Sequence, residues 1–223
     1  MSWFSGLFKK SERHTAQPAT SSRAQALNPG KILFSIPTLA GDLAALEPID
    51  RPPKQTDVVL GEDDWSQLEF LPNASLSTAQ RHLSELKAFE QANRKASGWR
   101  NVYVRKMQRT PVLVAADPVR HVQEVLHTNV DGPPFITASG AISGRIQRGF
   151  TFNLGGNTHL YGYLIGNTMP VLAASVGPKA DNMKLATAFM RLHQSDKVML
   201  VDWRAQLLLV GVNTNGNIET WRP

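Results

Sequence analysis

Three clusters of glycine and asparagine, Gly155-Gly156-Asn157, Gly166-Asn167 and Asn215-Gly216, cut the end of this chain into short apolar runs. Glycine and asparagine accept the positive φ that tight hairpin turns require, so runs joined by them pair antiparallel. Parallel pairing would need a long crossover, usually a helix, between each pair. The runs are Phe150 to Leu154, His159 to Ile165 and Pro170 to Val176, then Val198 to Trp203, Gln206 to Val212 and Ile218 to Trp221. They predict two antiparallel meanders.

Helical spacing appears between them and upstream. Leu76, Ala79, Leu83, Leu86 and Phe89 recur at intervals of three and four, which predicts a helix from about Ser77 to Lys95. Ser75 or Ser77 can cap its start and Gly98 can end it. A second helix starts from Asp117 as N-cap with Pro118 in the first turn, and buries Val122, Val125 and Leu126. A third runs from Asp181 to His193, with Leu185, Ala188, Phe189 and Leu192 inward. Hairpin sheets packed against about three helices make the fold class α+β.

Upstream signals are weaker. Lys31 to Pro37 reads as a short strand, Leu39 to Leu46 as one or two helical turns, and Arg51 to Asp64 as a loop. Gln67 to Phe70 alternates as a strand. Trp99 to Met107 reads as another, with Val102 and Val104 on one face and Tyr103 and Arg105 on the other. Residues 1–30 read as a flexible arm, because Ser11 to Gly30 lacks the periodic apolar residues that would offset the entropy of ordering. Residues 31–223 form one body, with Gly132-Pro133-Pro134 marking a sub-division near 130.

The absence of cysteine removes thiolate chemistry, disulfides and thiolate metal ligands, and fits a reducing cytoplasm. No run approaches the roughly twenty apolar residues of a membrane span. The order of Trp3, Phe4, Leu7 and Phe8 before Lys9 and Lys10 reverses that of a secretory signal. On one side of a helix these four residues could dock to a partner or a membrane surface, which makes a peripheral membrane contact conceivable.

The net charge of +6 is unevenly spread. Asp42 to Glu69 holds eight acidic and two basic residues, and Arg81 to Arg120 nine basic and three acidic; the simplest expectation is mutual neutralisation on the folded chain. Within the basic segment Arg94, Lys95, Arg100, Arg105, Lys106 and Arg109, with Trp99 and Tyr103 as stacking rings, are the ingredients of a nucleic-acid surface.

The glycines form no phosphate-binding loop, and no serine sits in a nucleophile elbow. Asp117, His121 and Glu124 share a helix face opposite Val122 and Val125, which reads as a solvated face far more than as a metal site, so no metal or other cofactor is expected. In the run from Thr158, His159, Tyr161 and Tyr163 alternate with Leu160, Gly162 and Leu164. With the leucines inward, the His-Tyr-Tyr stripe faces out as a partner surface, with Arg145 and Arg148 beside it. The expected function is a non-catalytic binding or adaptor protein, a bacterial accessory or interaction domain contacting another protein. The alternatives are a hydrolytic enzyme with His159 as base assisted by Asp202 or an arginine, and nucleic-acid binding through residues 94–109.

Overall fold

The computed structural model describes residues 33–49 and 51–223. The first part of the chain contributes strands β1 (Thr38–Ala40), β2 (Leu46–Glu47), β3 (Val59–Gly61) and β4 (Leu68–Pro72), then helix α1 (Leu76–Asn93). Four short strands follow: β5 (Arg94–Lys95), β6 (Gly98–Trp99), β7 (Tyr103–Arg105) and β8 (Leu113–Val114). Helix α2 (Pro118–Leu126) leads into β9 (Val130–Asp131), β10 (Phe135–Ala138), β11 (Ala141–Ile146), β12 (Gly149–Gly155), β13 (Thr158–Ile165) and β14 (Thr168–Val176). Helix α3 (Asn182–Asp196) precedes β15 (Val198–Asp202), β16 (Leu207–Val212) and β17 (Ile218–Trp221).

A nine-stranded sheet in the order β17-β16-β15-β4-β14-β13-β12-β9 dominates, with β8 on the part of the β14 edge that β4 leaves free. All its pairings are antiparallel. Strand β4 joins the two meanders, so residues before and after 130 interleave in one sheet. A four-stranded sheet, β2-β11-β10-β3, is separate. Two short pairings are parallel, β1 with β7 and β3 with β10, because their partners lie far apart in sequence and no hairpin joins them.

Register defines two faces on the large sheet. Leu160, Ala174, Leu172, Phe70 and Leu200 share one face, which α2 and α3 cover through Val122, Leu126, Ala188, Phe189 and Leu192. Tyr161, Ala173, Glu69 and Val201 share the other. Two separate elements cover that second face. The small sheet and Trp65 lie over Tyr161, Val171 and Ala173, while Ala79 and Leu83 of α1 pack with Leu71, Met199, Val201, Trp203 and Leu208. Each fully buried leucine on these seams stabilises the fold by about 1.5–3 kcal/mol.

The N-cap expected at α2 forms, with the Asp117 carboxylate accepting from Arg120 N, and Asp181, expected as the first residue of the third helix, caps it by accepting from Met183 N. Ser75 occupies the α1 N-cap position without a side-chain bond, after a single 3₁₀ turn. Three local expectations are corrected. Leu39 to Leu46 forms no helix, because Thr38–Ala40 is drawn into parallel pairing with β7 and Leu46–Glu47 into pairing with β11. The loop expected over Arg51 to Asp64 contains β3, held by β10. Trp99 to Met107 is broken in two, since β6 turns back on β5 as a hairpin and only Tyr103–Arg105 meets β1. Among the described residues no helix is long and apolar enough to cross a bilayer. Trp3, Phe4, Leu7 and Phe8 lie outside the described residues.

Candidate functional site

The tyrosine stripe does not form an outer surface. Tyr161 is 0% exposed. Its hydroxyl accepts from Ser66 N at 3.0 Å, its ring centroid lies 5.3 Å from that of Trp65, and burial pushes its phenol pKa up. Tyr163, with its centroid 6.3 Å from Trp65, and His159 remain half-buried. Burial holds the His159 imidazole below its ordinary value, against a weaker opposite pull from Asp131. Arg145 pairs with Glu47 at 3.2 Å and lies 6.0 Å from the centroid of Phe135, within the small sheet's surroundings. Arg148 is exposed and donates to Gly166 O at 3.2 Å, bracing the β13–β14 turn. Alternation on β13 was legible; a second layer covering its tyrosine side had no local signal.

His159 and Asp202 are not brought together. The registers from β13 through β14 and β4 to β15 put three strand spacings between them and send their side chains to opposite faces. Asp202 accepts from Ala205 N at 2.8 Å and so closes the β15–β16 turn; burial raises its carboxyl pKa. The α2 residues weighed as metal ligands are also separately engaged. Asp117 caps the helix, Glu124 pairs with Arg120 at 2.9 Å, and His121 Nε2 lies 2.8 Å from Asp196 Oδ1.

The basic segment divides. Arg105, 2% exposed, donates to Thr38 Oγ1 at 2.9 Å and Ser66 O at 2.8 Å, with its guanidinium 4.8 Å from the centroid of the buried Trp203 ring. Burial pushes its pKa down to about 10. Arg109 pairs with Asp42 and with Glu69, which is 1% exposed and accepts from Trp203 Nε1 at 2.7 Å. Burial opposes the Arg109 charge, but these two carboxylates outweigh it and raise its pKa. The Tyr103 hydroxyl donates to Glu85 at 2.7 Å, and burial followed by that carboxylate pushes its pKa up to about 12. Arg105 and Arg109 are thus withdrawn from any nucleic-acid surface, Arg109 by Asp42 and Glu69 of the acidic segment, while the Tyr103 hydroxyl is taken up by Glu85 of the basic segment itself. Lys95, Arg100 and Lys106 remain exposed.

Arg94 and Trp99 have a different setting. They line an open cleft of about 510 Å³ with Ser35, Ile36, Pro37, Glu90, Arg204, Ala205 and Gln206. The β5–β6 hairpin brings Trp99 there, and reciprocal backbone bonds tie Phe34 to Trp99. Gly98 permits this approach. Its φ is +153°, and a Cβ there would stand 2.5 Å from Phe34 O. The Arg94 guanidinium lies over the Trp99 ring, 5.6 Å from its centroid. Trp99 Nε1 is enclosed and, among the described residues, has no acceptor. Glu90 Oε2 accepts from Gln206 Nε2, and Arg204 pairs with Asp64 at 2.9 Å. The cleft joins apolar walls to a hydrogen-bond donor and to cations. Among its residues, the sequence had flagged only Arg94 and Trp99. The contribution of Ser35–Pro37 depends on long-range pairing.

Against known proteins, the chain matches no family model, no curated protein and no solved structure.

Proposed function

We propose that the protein is a non-catalytic binding module, an adaptor that docks a segment of another protein in the cleft between the β5–β6 hairpin and the β15–β16 turn. The observation that carries this reading is Trp99, half-buried in a cleft wall with an enclosed indole N–H that lacks an acceptor among the described residues. A buried donor left unmade costs about 1–3 kcal/mol, and an occupant supplying an acceptor recovers that cost. Ile36, Pro37 and Ala205 add apolar wall to the cleft, suited to the side chains of an extended peptide. A cysteine-free chain is compatible with a cytoplasmic setting for this role.

The test is selection of a random seven-residue peptide display library on the full chain, with counter-selection on Ala205→Trp, which fills the cleft, and Ile36→Asp, which makes its wall polar. Circular dichroism verifies that both variants fold. Peptides that hold the wild type and lose both variants support the module. A selection that enriches nothing over the two variants removes it.

A further inference from the structure

We infer that the cleft recognises its partner segment through a carboxylate, an aspartate or glutamate side chain, received by the Arg94 guanidinium and the Trp99 indole N–H. This rests on the binding-module reading and adds the chemical class of the occupant. Arg94 is exposed, and among the described residues its only recorded contact beyond the backbone is the face of Trp99. A guanidinium stacked on an indole still has its planar donor edge available, and that edge matches a carboxylate. Glu90, the carboxylate that lines the cleft, is tied to Gln206. Arg204 also lines the cleft, and Arg222 donates to Ala205 O at 2.8 Å. Lys95 and Arg100 flank the hairpin. Arg94 and Arg204 therefore outnumber Glu90 among the lining charges, with Asp64 offsetting part of the Arg204 charge.

The enclosed indole N–H links recognition to a local motion. An occupant that opens the wall around the Trp99 edge brings one carboxylate oxygen to the Arg94 guanidinium and lets the second accept from Nε1. A neutral amide offers one acceptor oxygen and no charge, so the pair of donors discriminates acid from amide. A phosphodiester chain would meet the same cations but has no need of the apolar wall formed by Ile36, Pro37 and Ala205.

The same display library provides the test, sorted by position and repeated on Arg94→Gln and on Trp99→Phe, which keeps a ring and removes the N–H. The expected result is an Asp or Glu fixed at one position of the enriched peptides. Replacing it by Asn or Gln weakens binding about tenfold or more. Arg94→Gln erases the acid-over-amide difference, and Trp99→Phe reduces it. Enriched peptides that hold the cleft with no acidic position overturn carboxylate recognition and leave the module standing. No enrichment over the cleft-filling variant overturns both. Oligothymidylate bound in an Arg94-dependent manner, with no peptide enriched, overturns both in favour of a single-stranded nucleic-acid site.

Discussion

Glu69 receives two unlike donors at the seam where the small sheet and α1 meet the large sheet: the Trp203 indole and the Arg109 guanidinium. Its carboxylate offsets charge that Arg105 and Arg109 bring into the interior, so removing it leaves buried cations without compensation. Glu69→Gln is expected to destabilise the fold by about 3 kcal/mol or more, read as a lower urea midpoint. Arg109→Met in the same chain should return part of that loss. His82 supplies a pH dependence. It is buried against Tyr103 and Glu85, and burial holds its imidazole below the ordinary 6.5 despite the Glu85 carboxylate. The unfolded chain therefore takes up this proton more readily. The contribution of His82 is complete above 6.5 and is lost as pH falls from there toward the lower folded value. His82→Gln should flatten that part of the urea-midpoint profile between about pH 7.5 and about pH 5.5.

Single elements carry two further expectations. Gly162 lies where β13 crosses beneath Phe150, and a Cβ there would meet Val171 O at 2.2 Å and Phe150 Cζ at 2.8 Å. Gly162→Ala should cost about 1–3 kcal/mol through overpacking, measurable by thermal unfolding. Gly98→Ala acts on the cleft wall instead. It should disrupt the hairpin and abolish peptide capture while most of the far-UV signal remains. At this scale the sequence was informative wherever a signal was local. Asp117 and Asp181 announce their helices, leucine spacing announces α1, and Gly155 to Asn157 announces a hairpin. It was silent wherever a distant segment decided the outcome. Phe135–Thr137 pairs with Val59–Gly61 across six intervening strands and two α-helices. The fate of Tyr161 depended on Trp65 and that small sheet. Alternation identifies which residues share a face, and only the three-dimensional neighbours decide whether that face meets water.

For the whole molecule, layering on both sides of the large sheet concentrates protection on its middle strands. Amides of β4 and β14 should exchange with deuterium most slowly, and those at the edges β9 and β17 fastest, in a peptide-resolved exchange experiment. The same arrangement affects how the chain is made. Leu68–Pro72 leaves the ribosome long before Thr168–Val176 and Val198–Asp202, the neighbours on its two sides, have been synthesised. At about 5–20 residues per second this wait is on the order of ten seconds. Throughout it, nascent Phe70 and Leu71 lack the flanking ribbons that will enclose them, which makes this stretch a natural client for a translation-associated chaperone.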